Sequence, residues 1–268
     1  MQLFIGFLLA ILIALLAWRA DSLSRSGAWA AALTGGLTFG LGGLPWAILL
    51  LTFFITSSAL SRAFSQRKAR LAEKFSKGSR RDWGQVMANG GLGALLAVGY
   101  SIQPHPEWLW LAFTGAMAAV NADTWSTELG VLSPVSPRMI TSGEKVERGT
   151  SGGITITGTL AAVGGAALIG IAAVIFVPEP DWLSRLVIII LAGLVGSLFD
   201  SVLGATIQAI YWCPTCSKET ESYPLHSCGT QTSQVRGWSW FNNDLVNFAC
   251  SLMGAILACG IWLLLSKR

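Results

Sequence analysis

What most constrains this chain is its succession of long apolar runs, near residues 3–17, 28–41, 46–60, 85–101, 108–121, 153–177, 183–210 and 244–265. About 20 apolar residues cross a bilayer as a helix, and shorter or tilted stretches are accommodated. The chain is 53% hydrophobic and 12% charged, whereas soluble domains carry about 25% charged residues. Its 30 glycines and its lack of β-branched alternation favour close-packed helices over a barrel. The expected fold is therefore an all-α polytopic transmembrane bundle of seven to eight spans, a single domain over residues 1–268. The second and third runs are joined by the turn signal Gly42-Gly43-Leu44-Pro45 and are expected to form a tight hairpin. The first run has neither a basic flank nor a small-residue cleavage site, so no cleavable signal peptide is expected.

Charge placement then orients the bundle. Placing the basic block Arg62–Arg81, within a loop at 61–84, on the cytoplasmic side puts 18–27, 121–152 and 211–243 there too. Those segments hold every Lys and Arg except Arg185, Lys267 and Arg268. The block itself reads as a topology signal that touches anionic membrane lipid. No nucleic-acid-binding motif accompanies it, so nucleic acid is not an expected partner. Eight of the tryptophans, Trp46 among them, fall near span ends, as an interfacial aromatic belt would.

Polar residues in or beside the spans carry the functional expectation, because ionisable groups at membrane depth are costly. Asp123 and Glu128, with Asn121 and Thr124, close the fifth run. Such hard oxygen ligands suit Mg²⁺, which takes one or two carboxylates plus phosphate oxygens. Lys145 and Arg148 precede Gly149-Thr150-Ser151-Gly152-Gly153 and then an apolar helix. Glycine amides, a cap from Thr150 or Ser151 and a helix N-terminus form an anion cradle, although the run is not a Walker A motif. Asp200, Gly204 and Gln208 recur at i, i+4 and i+8 and would line one helical face, with Asp200 about ten residues inside the seventh run. Asn243, Asp244 and Asn247 open the last run, more polar side chains than a cap requires. Gln85 and Asn89 beside Gly90-Gly91 read equally as helix–helix contact or as site residues.

Cys213, Cys216, His226 and Cys228 form C-x₂-C-x₉-H-x-C in the 211–243 loop, four ligands of the zinc type. Free cytosolic thiols are the competing reading. Cys250 and Cys259 are expected to pack within the last span.

The segments R-D-W-G-Q-V-M-A-N-G-G, N-A-D-T-W-S-T-E-L-G, R-G-T-S-G-G-I-T-I-T-G-T, D-S-V-L-G-A-T-I-Q and N-N-D-L-V-N together resemble an integral membrane family. It contains the plant and cyanobacterial phytyl-phosphate kinases and was long carried as a domain of unknown function. The resemblance runs from about residue 20 to the end. Lys145–Gly153 is also similar to the K-x-x-E-G-[ST] loop of the phytol and dolichol kinases, with Arg148 here in the pre-glycine position and Glu147 before it. The resemblance implies a CTP-dependent enzyme that converts a prenyl monophosphate such as phytyl phosphate to its diphosphate, with CTP or another nucleoside triphosphate as donor.

The combined expectation is an Mg²⁺-dependent phosphotransferase at the inner face of a bacterial membrane. Asp123, Asp200 and Asp244 would hold the metal, with Glu128 beside them. Lys145, Arg148 and the glycine-loop amides would hold the triphosphate, helped by Asn89, Asn121, Thr124, Gln208, Asn243 and Asn247. A prenyl-alcohol kinase or lipid cytidylyltransferase is the nearest alternative, and an anionic-lipid transporter is further off.

Overall fold

The structure, a computed structural model, describes residues 1–64, 80–103, 106–177 and 181–265. Most of the basic block, including Arg67, Lys68, Arg70, Lys74 and Lys77, lies outside the described residues. Among those described, all eight apolar runs form helices: α1 (Gln2–Arg19), α2 (Arg25–Gly42), α3 (Leu44–Ala63), α4 (Trp83–Ile102), α5 (Glu107–Gly130), α6 (Ile156–Val174), α7 (Trp182–Thr206) and α8 (Asn243–Leu265). By length and composition α1, α3, α6, α7 and α8 can each cross a membrane. The other three are less apolar: α2 is rich in Gly and Thr, α4 carries Gln85 and Asn89 among its glycines, and α5 carries Glu107, Asn121, Asp123 and Glu128.

Helix α5 is the axis of the bundle. Leu111 to Ala122 are almost fully buried there, and α3, α4, α6, α7 and α8 all pack on it. Small residues set the spacing. A Cβ on Gly115 would lie 2.3 Å from the Gly254 carbonyl oxygen, and one on Gly193 would lie 3.0 Å from Ala118 Cβ. Large side chains such as Phe4, Ile55, Leu95, Ile171 and Ile256 face outward, where lipid covers them.

Successive helices reverse direction, and contacts at each end show it. At one end Arg62 donates to the Ala20 carbonyl, Ser24 N–H to Arg81 O at 2.9 Å, and Ser61 to Glu128 at 2.6 Å. At the other end Gln2 reaches Phe39 O, Trp46 packs on Tyr100 and Phe113, and Arg185 pairs with Glu107 beneath Trp262. Trp46 therefore belongs to the buried core and not to an interfacial belt.

Two small sheets decorate the first end. β1 (Arg138–Met139) pairs with β2 (Gly153–Ile154), and β3 (Ile210–Cys213) lies between β4 (Lys218–Thr220) and β5 (Ser233–Arg236). The sequence shows these segments only as polar loops, because strands this short have no readable period.

Candidate functional site at the polar end of the bundle

Helices α5 and α7 run the same way and touch where Gly196 meets Ala119; a Cβ on the glycine would lie 2.6 Å from that of the alanine. One turn further along each helix, at i+4, stand Asp123 and Asp200. Their charges act on each other, and Glu221 acts on Asp200 as a third acid. Asp200 Oδ2 is buried without a hydrogen-bond partner among the described residues. The Cys250 carbonyl of α8 closes on the same Gly196. Asn247 and Asn243 lie three and seven residues before Cys250, on its face of α8, towards the polar end.

Helix α7 ends at Thr206, so Asp200 is about two turns from the end and not ten residues inside. Gln208 is past the helix and does not continue its face. Its amide instead donates to Glu221 Oε1 at 2.9 Å and reaches Asn243 Oδ1 at 3.5 Å. Glu221 also accepts from Ser151 at 3.3 Å, which ties the glycine loop to the same group. Asp244 sits in the first turn of α8 beside Asn243. Glu221 acts on Asp200 as an acid that the expected triad did not include. Two aspartates with amide side chains nearby are oxygen donors of the kind that could hold Mg²⁺.

The glycine loop differs from expectation in two respects. Thr155, not Thr150 or Ser151, caps α6 by accepting from Gly158 N–H at 2.9 Å. Thr150 and Gly153 N–H donate within the loop, to Glu147 O and Thr150 O, which leaves fewer amides for an anion. Gly149 and Gly152 hold φ of 80° and 86°, and Gly152 packs directly on Ala205 at the end of α7. Lys145 is exposed, whereas Arg148 donates to Ser133 O at 2.7 Å and to Pro134 O. A further cation at the loop is Arg236, which sequence reasoning passed over. Its guanidinium reaches Ser151 O and Ala205 O, each at 3.5 Å, and pairs with Glu219 at 3.8 Å. Nothing in the sequence marks Arg236 or Glu221, since only strand pairing brings them back to the helix ends.

Other candidates are engaged elsewhere. Asn121 is fully buried, accepting from Thr56 at 3.1 Å and donating to Gly165 O at 2.8 Å; it ties α3, α5 and α6 together and is withdrawn as a ligand. Thr124 bonds back to Val120 O at 2.9 Å. Glu128 accepts from Ser61 and acts on Arg81. Burial lowers the Arg81 guanidinium to about 10 while Glu128 opposes the shift, so it remains a cation at neutral pH, 5.4 Å from the Phe53 ring.

Arg81, Gln85 and Asn89 line one part of an otherwise apolar cavity of about 280 Å³ between α1, α2, α3 and α4. Asn89 donates to Gln85 O, and Gln85 completes a capping box with Asp82. Because Arg81 answers to Glu128, this polar part of the cavity lies at the same end of the bundle as the acidic pair.

Cys213, Cys216, His226 and Cys228 form a second constellation. Each offers one donor atom, and the four lie within 4.8 Å of one another. The Cys213 and Cys228 sulfurs are 3.6 Å apart and unbonded. Hydrogen bonds with Thr230 and His226 hold the Cys228 thiol down at about 6, and a hydrogen bond with Cys228 pushes Cys216 up to about 11. Cys250 is buried in the core and Cys259 is partly buried beside it.

The family model of the integral membrane protein DUF92 matches residues 8–255. Among curated relatives, Protein PGR of Arabidopsis thaliana is 34% identical over 96% of this chain and 94% of its own length. An uncharacterized membrane protein of Methanocaldococcus jannaschii is 34% identical over 77% of this chain and 84% of its own. Protein VTE6, chloroplastic, also from Arabidopsis thaliana, is 26% identical over 88% of this chain and 64% of its own. No solved structure matches.

Proposed function

This chain belongs to the DUF92 family of integral membrane proteins, and from that premise we propose that it is a prenyl-phosphate kinase using a nucleoside triphosphate, CTP, as donor. The carrying observation is the buried Asp200 carboxylate, with an unpartnered oxygen, facing Asp123 and Glu221 where the glycine loop meets the end of α7. A buried acid among acids needs a cation, and the donor set suits Mg²⁺. The family resemblance to the phytyl-phosphate kinases supplies the substrate class.

In this reading an oxygen of the prenyl monophosphate bonds to the donor γ-phosphorus. The bond from that phosphorus to its bridging oxygen breaks, and the nucleoside diphosphate leaves. Mg²⁺, held by Asp123 and Asp200, neutralises phosphate charge when bound. Arg236, exposed Lys145 and the Gly149–Gly153 segment hold the triphosphate, and Gln208, Asn243 and Asn247 orient the acids. A monophosphate acceptor is already largely ionised near neutral pH, so positioning and charge neutralisation carry the chemistry and no general base is needed. The prenyl tail occupies the apolar cavity, with Arg81 near its head. In this reading the site faces the cytoplasm, the side that the distribution of Lys and Arg favours.

Purified protein incubated with CTP labelled at the γ-phosphate, and in parallel with CTP labelled in the cytidine, and a panel of prenyl monophosphates and alcohols tests this. Labelled prenyl diphosphate is the expected product. Label only in prenyl phosphate indicates an alcohol kinase, label in a CDP-lipid a cytidylyltransferase, and either result overturns the assignment. No transfer from any nucleotide overturns it as well.

A further inference from the structure

The acidic pair and the glycine loop leave the four-ligand group at Cys213, Cys216, His226 and Cys228 without a role. We propose that these residues hold one structural Zn²⁺, through three sulfurs and His226 Nδ1, and that this ion fixes the sheet presenting Glu221 and Arg236 to the phosphate end of the bundle.

The distances favour a tetrahedral ion. Zn–S bonds of about 2.3 Å and Zn–N bonds of about 2.0–2.1 Å place neighbouring donors about 3.5–3.8 Å apart on a tetrahedron. Cys213 and Cys228 sulfurs stand 3.6 Å apart, Cys216 sulfur and His226 Nδ1 3.5 Å, and His226 Nδ1 and Cys228 sulfur 3.2 Å. The backbone is shaped for it at both turns. Cys213 and Cys216 flank the turn from β3 into β4, where Ser217 takes a positive φ of 51°. His226 and Cys228 share a second turn, closed by Gly229 N–H to His226 O at 2.8 Å and His226 N–H to Thr230 O at 2.9 Å, with Gly229 at φ 82°. Four protein ligands leave no open position, so the ion is structural. A Cys213–Cys228 disulfide would have to close the 3.6 Å gap and would strand the other two ligands.

The sheet register explains what the ion does. β3 pairs Cys213 with Lys218 at its far end and Ile210 with Arg236 at its near end. Glu221 directly follows β4, also at the near end. The ligands thus clamp one end of a three-stranded sheet whose other end carries Arg236 to Ser151 and Ala205, and Glu221 to Gln208. A bound metal would add stability to this sheet of three short strands. The positioning effect rests on the proposed function; the site itself does not.

The test is elemental analysis of full-length protein purified in detergent without chelators, alongside Cys213→Ser and Cys228→Ser, with Cys250→Ala as the control. One zinc per chain is expected in the wild type and in the control, and less than about a tenth of that in both ligand variants. Cobalt exchanged into the wild type should give the thiolate-to-metal absorption of a tetrahedral sulfur site, a readout that survives even if a variant fails to accumulate. Less than a tenth of an equivalent of zinc together with no cobalt spectrum, or a Cys213–Cys228 disulfide found in the purified protein, overturns the proposal. Zinc removal should lower phosphotransfer about 10- to 100-fold with the helical content unchanged. Stoichiometric zinc in a protein that transfers no phosphoryl group sinks the kinase reading and leaves the zinc site standing. Phosphotransfer by protein that purifies without zinc and takes up no cobalt does the reverse.

Discussion

Gly152 approaches Ala205 so closely that a methyl group on the glycine would lie 2.5 Å from the Ala205 Cβ and 2.6 Å from its backbone. This contact joins the glycine loop to the end of α7, two turns at most from Asp200. Because φ at Gly152 is 86°, an alanine there meets both backbone strain and a collision with main chain that cannot move aside. Gly143, at φ 73° with nothing within 4 Å, meets only the first. Gly152→Ala should therefore lower stability by about 2–4 kcal/mol and abolish turnover, whereas Gly143→Ala should lose about 1 kcal/mol and keep its activity. Thermal unfolding in detergent, paired with a phosphotransfer assay, separates the two. Equal behaviour of the two variants would mean that the contact with α7 is unimportant.

Replacing the charge on Asp200 without changing its shape isolates the acidic site. Asp200→Asn removes a buried anion that faces Asp123 and Glu221, so apparent stability without metal should hold or rise. Turnover should fall at least about 100-fold if the carboxylate holds charge-neutralising metal. Asp123→Asn should behave alike. Activity of Asp200→Asn within twofold of wild type would remove the carboxylate from the chemistry.

The parts of this architecture that could be read from the chain are those governed by local spacing. Eight apolar runs became eight helices among the described residues because a helix satisfies its backbone hydrogen bonds within its own length. The i+4 steps from Ala119 to Asp123 and from Gly196 to Asp200 were equally present in the sequence, but which helices would touch there was not. Gln208 is the instructive failure. A helix continued through 210 places it on the Asp200 face, yet the chain leaves the helix at Thr206, where Gly237 packs on the Gln208 carbonyl and Trp238 N–H bonds to Ile207 O. That tertiary contact comes from about 30 residues later, and Glu221 and Arg236 come from 13 and 28 residues after Gln208; no local pattern announces any of them. Asn121 failed for the opposite reason: a buried amide bridging two other helices has the same sequence signature as a ligand.

Arg185 tests whether the two ends of the bundle are independent. It pairs with Glu107, reaches Asp181 at 3.7 Å and lies 4.7 Å from the Trp262 ring, all at the end away from the acidic pair. Its own side chain is nearly buried, but Glu107 and Asp181 are about half exposed, so water stabilises the partners once the arginine is gone. Arg185→Met should lower the unfolding free energy by about 1–3 kcal/mol, less than for a wholly buried pair. At a temperature where the variant stays folded, kcat and KM should match wild type. A changed kcat there would show that the far end couples to the chemistry.

The cavity between α1, α2, α3 and α4 supplies the sharpest test of the acceptor. Gly90 lines it, and a Cβ added there would meet Thr34 and Leu50 only at 3.7 to 3.9 Å, ordinary contact distances. The α4 backbone therefore accepts a side chain at this position, and Gly90→Leu can direct its bulk into the cavity without forcing the helices apart. If the tail of a prenyl phosphate lies in this space, KM for a long-chain acceptor should rise about tenfold or more, as expected when bulk displaces buried apolar contacts. A short-chain prenyl phosphate should be used nearly as well as before, and KM for CTP should not move, because Gly90 lines the cavity between α1, α2, α3 and α4, whereas the glycine loop and Arg236 pack on the end of α7. Helix substitution of Gly by Leu adds some intrinsic stability, so a general loss of fold is not the expected confound. Chain-length selectivity measured as the ratio of kcat/KM values is the deciding quantity. An unchanged ratio in the folded variant would place the prenyl tail elsewhere, on the lipid-facing surface of the bundle.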